Sequence, residues 1–197
     1  MSVDKETLGV YGARAQDYAA MTDDLADDKH LTAFIAAMPA GARVMDIGCG
    51  PGRAAGQMAA AGLTVDAIDA VPEMVAMAAA QPGVTAWQAT FDQIAGDALY
   101  DGIWANFSLL HAPRAALPGH LSAIHRALKS GGLFHIGMKT GEGEGRDDLG
   151  RFYTYYTEAA LRGLLIAAGL TPGNGWTGRD IGLAGNPDDW SVIHAYA

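Results

Sequence analysis

The stretch RVMDIGCGPGR, Arg43 to Arg53, constrains the fold of this chain more than any other. Val44, Met45 and Ile47 form a short apolar run of strand character, and Gly48, Gly50 and Gly52 then leave the backbone almost bare of side chains. The following run, RAAGQMAAA (Arg53 to Ala61), is rich in helix formers, so Pro51 and Gly52 mark a helix start whose unpaired N–H groups face the turn. A strand, a glycine turn and a helix N-terminus make a ligand cradle. The glycines allow positive φ and close backbone approach, and the helix end offers donors and partial positive charge.

The second half of a nucleotide-binding βαβ unit follows at the right distance. TVDAI (Thr64 to Ile68) is the next strand and ends at Asp69, about 20 residues beyond the glycines, where a carboxylate can accept hydrogen bonds from both hydroxyls of a ribose. The glycine pattern is G-x-G-x-G preceded by Asp46, not the G-x-G-x-x-G that lets a pyrophosphate approach a helix. A carboxylate at that strand end repels a pyrophosphate but can receive the ammonium of an amino-acid moiety, directly or through water.

VMDIGCGPG followed by VDAID resembles the first two motifs of the class I S-adenosylmethionine-dependent methyltransferases. YDGIWANFSLLHAP (Tyr100 to Pro113), LKSGGLFHIG (Leu128 to Gly137) and YTEAALRGLLIAAGL (Tyr156 to Leu170) are similar, in order, to that family's fourth strand, its fifth-strand approach and its last helix. The resemblance covers nearly the whole chain. It implies an α/β, Rossmann-like three-layer sandwich: a seven-stranded, mostly parallel sheet of order 3-2-1-4-5-7-6, last strand antiparallel, with helices on both faces. One domain, 1–197, is expected, with a helical cap over 1–40 and the core over 41–197. The implied cofactor is S-adenosylmethionine and the product S-adenosylhomocysteine. The implied cofactor-binding residues are Asp46, Gly48, Cys49, Gly50, Gly52 and Arg53 around the cradle, Asp69 and Ala70 at the ribose, Met74, Thr90 and Phe91 at the adenine, and Asn106 at the end of the fourth strand, with Tyr18 reaching the methionine end. Many members carry an aspartate where this chain has Thr90, which shifts recognition of the exocyclic amine to the Phe91 backbone or Asp92. Met74 and Tyr18 also fit a plain buried stripe at helical spacing.

Composition suits a small enzyme. With 197 residues, 50% hydrophobic and 18% charged, the chain can bury one core. A net charge of -9 and a pI of about 4.9 argue against nucleic acid and leave a small-molecule methyl acceptor as the expected partner, for a monomer or a homodimer. The single cysteine, Cys49, excludes an internal disulfide. The start MSVDKETLGV has neither a basic nor an apolar leader region, and no apolar run approaches the roughly 20 residues that span a bilayer, so a cytoplasmic protein is expected. The histidines do not fall at metal-ligand spacing, and no metal is expected.

Met1 to Met38 is helical in pattern, with Tyr11, Ala15, Tyr18 and Ala19 on one face, a solvated run Asp23 to Lys29, and a second helix from His30 to Met38. Beyond Asp69, Pro72 and Glu73 open a helix, Val84 to Gln88 is the third strand and Tyr100 to Asn106 the fourth. Ligands in open α/β sheets bind outside the carboxyl ends of the strands, so Asn106 and His111 are the candidate catalytic residues. His111 either deprotonates an acceptor or pins its loop through a backbone carbonyl. Pro118 to Lys129 is a helix, Leu133 to Met138 the fifth strand, and Leu170 to Thr177 and Asp189 to Tyr196 complete the sheet. Lys139, Arg146, Arg151, Tyr153 and Tyr155 gather beyond the sheet edge, which suggests an acceptor with an anionic or polar handle. The glycine-rich segment Thr140 to Arg151 is either a lid over it or a solvated loop. Alternatives to methyl transfer are a non-catalytic S-adenosylmethionine-binding module and a nicotinamide-dependent oxidoreductase.

Overall fold

The computed structural model describes residues 4–23, 28–182 and 184–197. Three helices lead the chain: α1 (Lys5–Ala13), α2 (Ala15–Asp23) and α3 (Lys29–Ala36). The single stripe expected through Tyr11 and Tyr18 is broken at Arg14, whose φ of -118° and ψ of 22° end α1, yet the two tyrosine rings still meet edge to face at 5.5 Å. Asp4 caps α1 by accepting from the Thr7 N–H, and Asp28 caps α3 by accepting from the His30 and Leu31 N–H groups. Residues 24–27 of the expected solvated run lie outside the described residues.

The core alternates strand and helix: β1 (Arg43–Ile47), α4 (Arg53–Ala60), β2 (Thr64–Asp69), α5 (Pro72–Ala79), β3 (Val84–Gln88), β4 (Tyr100–Asn106), α6 (Leu117–Ala127) and β5 (Leu128–Lys139). Two short strands, β6 (Glu144–Arg146) and β7 (Phe152–Thr154), then precede α7 (Glu158–Ala167), β8 (Thr171–Ile181) and β9 (Pro187–Tyr196). The main sheet runs β3-β2-β1-β4-β5-β9-β8, with β1 to β5 parallel and β9 antiparallel to both neighbours. This is the expected seven-strand order, renumbered by the β6–β7 hairpin.

Strand alternation sorts the core into two layers. Met45, Ile47, Ile103, Ala105, Phe134 and Ile136 face α6 and α7, while Val44, Val65, Ala67 and Trp104 pack with Leu31 and Phe34 of α3 and Ala55 and Met58 of α4. Asp46 shares the second face with Val44.

Three boundaries differ from expectation. The helix expected through Lys129 stops at Ala127, because Lys129 is drawn to Asp101 of β4, 2.8 Å away, and the chain enters β5 at once. The last two strands are longer than expected and pair from Thr171↔Tyr196 to Ile181↔Pro187. The polar segment 140–151 holds one strand of a hairpin, with Glu144↔Thr154 and Arg146↔Phe152 in register. Among the described residues no helix is long and apolar enough to cross a membrane.

Candidate active site

The cleft forms where β1, β2 and β4 end. After Ile47 the chain turns through Gly48 (φ +68°), Gly50 (φ +54°) and Gly52 (φ +80°), a left-handed region that side-chain-bearing residues rarely adopt. The three glycines serve different ends. A Cβ on Gly48 would collide with the Ser108 Cβ, and one on Gly52 would lie 2.5 Å from the Ala78 Cα, so these two are small because the protein packs against them. Gly52 is the N-cap of α4 and stands behind the cleft walls, where it sets the direction of the helix. Gly50 faces the cleft, where a Cβ would meet only the Tyr18 ring edge at 3.5 Å.

Two lobes meet at this turn. The first is walled by Ile68, Asp69, Ala70, Met74, Thr90 and Phe91, with Thr7 and Tyr11 of α1 above. The second holds Asp46, Cys49 and Arg53 and extends beneath α3 to β9. Tyr18, Gly48, Gly50, Asn106 and Phe107 wall both lobes and form the waist between them. Phe107 has φ +54°, a strained value for a non-glycine residue, and its N–H donates to the Gly137 carbonyl at 3.0 Å. Ser108 Oγ donates to the Ile47 carbonyl at 2.6 Å and ties the end of β4 to that of β1.

The two acids behave differently. Asp69 accepts from the Gly50 N–H and the Val71 N–H, both at 2.9 Å, which holds the glycine turn against β2. Burial raises its pKa, and these backbone donors oppose the rise. Asp46 is 2% exposed and its Oδ2 has no hydrogen-bond partner. Burial, with repulsion from Asp69, pushes its pKa up to about 8 against one N–H bond from Ala55. A buried carboxylate oxygen with nothing to accept from is costly, and it suits a site that receives a cationic donor.

Other candidates fall in varied places. Tyr18 is half-buried at the waist, packed against the cluster of Ala15, Val71 and Met74. Met74 is 2% exposed and packs with Ala15 and Val71. Thr90 caps the turn Phe91–Gln93 through Gln93 Oε1, which accepts from its N–H at 2.9 Å. The Cys49 thiol is buried, and its pKa is raised by burial first and then by the two acids. Asn106 Oδ1 lies 3.1 Å from His135 Nε2, and His135 Nδ1 lies 3.1 Å from His194 Nε2.

His111 is engaged at both nitrogens: Nδ1 is 2.6 Å from the Phe152 carbonyl, to which it donates, leaving Nε2, 2.9 Å away, to accept from the Tyr11 hydroxyl. Burial lowers its pKa to about 4. This is the geometry of the loop-pinning alternative; acting as a base would require breaking one of these bonds.

The expected basic acceptor cluster is not available to a ligand's charge. Lys139 pairs with Asp188 at 2.5 Å, Arg146 with Asp4 at 2.7 Å and Glu6 at 3.2 Å, and Arg151 with Asp147 at 2.6 Å. Tyr153 is 3% exposed and belongs to the core with Tyr156. The hairpin is fastened to α1, since Arg146 bonds Asp4 and the Phe152 N–H donates to Thr7 Oγ at 2.8 Å.

Sequence reasoning missed the far wall of the second lobe: His30, Trp104 and Trp190, with Trp176 and His135 behind them. These residues are scattered over α3, β4, β5, β8 and β9, so no local spacing joins them. The signal that could have found them is strand parity, which places Trp104, His135 and His194 on the same face of the sheet as Asp46. Among the described residues no group of three or more His, Cys, Asp or Glu side chains is arranged to hold a metal ion.

Comparison with known proteins agrees with this architecture. Residues 44–132 match the family model described as a methyltransferase domain. An uncharacterized methyltransferase of Synechocystis sp. is 32% identical over 102 residues, which are 51% of this chain and 48% of that protein, so the chain spans about half the length of the curated relative it matches. The structure of Burkholderia thailandensis 1,6-didemethyltoxoflavin-N1-methyltransferase, solved with 1,6-didemethyltoxoflavin and S-adenosylhomocysteine, superposes with a TM-score of 0.79 at 26% identity, over 97% of this chain and 87% of that one. A TehB-like S-adenosylmethionine-dependent methyltransferase from Corynebacterium glutamicum shares the fold, with a TM-score of 0.72 at 21% identity over 93% and 98% of the two chains. From the first strand into the fifth the chain thus matches a methyltransferase domain, and over 97% of its length it shares the fold of the Burkholderia methyltransferase.

Proposed function

We propose that the protein transfers a methyl group from S-adenosylmethionine to a small-molecule acceptor. One observation carries the reading: the buried, unpartnered Oδ2 of Asp46 beside a glycine turn that joins two lobes of one cleft. When bound, the cofactor supplies a methyl group made electrophilic by its sulfonium, and transfer leaves the bonding electron pair on sulfur as S-adenosylhomocysteine. The residues of this chain fit it. Asp46 receives the ammonium, Asp69 accepts from the ribose hydroxyls, and Ile68, Met74 and Phe91 offer apolar surface to the adenine. Tyr18, Asn106 and Phe107 at the waist align the acceptor and exclude water, and positioning of this kind supplies much of a methyl transfer's rate. The Burkholderia enzyme, whose named acceptor is a small molecule, supports that choice of acceptor.

Calorimetric titration with S-adenosylhomocysteine tests the cofactor half: saturable binding is expected, whereas stabilisation by a nicotinamide cofactor alone would overturn the reading. Acceptor-dependent release of S-adenosylhomocysteine tests the transfer, and binding with no turnover across a broad acceptor screen would favour a non-catalytic module. Asp69→Ala is expected to weaken S-adenosylhomocysteine binding by about 1.5–3 kcal/mol, the worth of a hydrogen bond to a charged group. Unchanged affinity would move the ribose contact elsewhere.

A further inference from the structure

We propose that the far end of the second lobe is the acceptor subsite and that it takes a flat nitrogen heterocycle, neutral or cationic; the inference rests on the methyl-transfer reading and specifies its acceptor class. The wall is built around Trp190. Its indole lies over Gly178, the residue opposite it on β8, where a Cβ would come within 2.7 Å of the indole Cε2, and its Nε1–H donates to Asp180 Oδ2 at 2.7 Å. A missing side chain on one side and a hydrogen bond on the other fix the ring plane. His30 and Phe107 stand nearly perpendicular to it, at 86° and 81°, with ring centroids 5.9 and 6.3 Å away. Rings set at right angles around a cavity present faces and edges to a planar guest, the arrangement in which aromatic pairs gain energy beyond area burial.

Polar chemistry narrows the guest further. His30 Nε2 is buried and has no hydrogen-bond partner. Burial lowers its pKa, which keeps the imidazole neutral and able to donate or accept. Asn106 turns Oδ1 toward His135, which leaves its amide N–H groups for the waist. A ring N or N–H satisfies these groups, and a plain hydrocarbon does not. Charge sets the sign. The lobe holds Asp28, Asp46 and Asp180 against Lys29 and Arg53, and the basic residues expected to greet an anion, Lys139, Arg146 and Arg151, are paired with carboxylates. A carboxylated or phosphorylated acceptor therefore meets no surplus of positive charge there.

The test is a panel of two-ring nitrogen heterocycles (purines, pteridines and quinazolines), each beside its carboxylated counterpart, titrated by calorimetry into the protein saturated with S-adenosylhomocysteine. At least one uncharged member is expected to bind tenfold or more tightly than its carboxylated partner. That binding should weaken at least tenfold in His30→Phe, which keeps a ring but loses Nε2, and in Trp190→Leu, while S-adenosylhomocysteine affinity stays within twofold and so reports an intact fold. Preference for the carboxylated partners, no binding by any uncharged member, or full affinity in both variants would overturn the assignment. The two readings fail separately. Loss of S-adenosylhomocysteine binding by the wild-type protein would remove the methyl-transfer reading, while failure of the panel alone would remove only the acceptor class.

Discussion

Replacing Arg151 with methionine is expected to destabilise the protein by about 3–5 kcal/mol, the cost of leaving one partner of a buried ion pair uncompensated. The side chains of Arg151 and Asp147 are 3% and 10% exposed, and two guanidinium nitrogens lie 2.9 and 2.6 Å from Asp147 Oδ2. A third donates to the Tyr11 hydroxyl at 2.9 Å, and the cation sits 5.2 and 5.3 Å from the Tyr11 and Tyr153 ring centres. Removing it strands a carboxylate and unfastens Tyr11, and through Tyr11 the hydrogen bond to His111. For a domain of this size the loss corresponds to roughly 6–20 °C in Tm. Adding Asp147→Asn should recover most of it, because the asparagine carbonyl can still accept from the Arg151 and Leu149 backbone N–H groups. A drop of less than about 1 kcal/mol in Arg151→Met, measured by urea unfolding, would show that the pair is solvated and contributes little.

The second large effect concerns pH. Asp46 has a pKa of about 8 in the free protein against an ordinary value of 3.8. To hold an ammonium it must ionise, so below pH 8 cofactor binding releases a proton, and affinity should fall toward tenfold per pH unit, about fiftyfold between pH 8 and pH 6. Calorimetry in buffers of different ionisation enthalpy measures that proton directly. The ligand-free protein should trend the other way. Between 3.8 and 8 the folded state binds this proton more tightly than the unfolded chain does, so the contribution of Asp46 to stability is greatest at low pH, declines as pH rises through that window and levels off above 8. Asp46→Asn should flatten both profiles. A flat binding profile in the wild-type protein would mean that the ammonium is held elsewhere.

What the sequence discloses depends on the range of each interaction. The glycine turn, the acid at the end of β2 and the bounds of β3 and β4 were legible because each is written in adjacent residues: Gly48 to Gly52 encode the turn, and Val84 to Gln88 the strand. The reason for each glycine was not, since the neighbours that forbid a side chain, Ser108 at Gly48 and Ala78 at Gly52, arrive from elsewhere in the chain. Charge was read correctly in amount and wrongly in availability. Arg146 and Arg151 stand beyond the sheet edge as expected, but their partners Asp4 and Asp147 turn a presumed acceptor site into internal bracing. The hairpin at 144–154 was not legible because its strands, Glu144–Arg146 and Phe152–Thr154, are three residues each, too short for an alternating pattern to show.

The bonds that close the cap join the two ends of the chain's history. Asp4 to Arg146, Thr7 to Phe152 and Tyr11 to Arg151 span 142, 145 and 140 residues. A ribosome adding 5–20 residues per second makes the first of each pair about 7–30 s before the second. During that interval β1 to β4 can assemble and Leu8 and Tyr11 can pack on Val71 and Met74, but the polar partners of Asp4, Thr7 and Tyr11 in the hairpin are not yet synthesised. The first lobe, walled on one side by Asp4, Thr7, Leu8 and Tyr11, is therefore among the last parts of the molecule to be completed. A nascent chain stalled before residue 146 would carry the glycine turn and both acids under an unlatched cap, so any cofactor it captured would be free to leave.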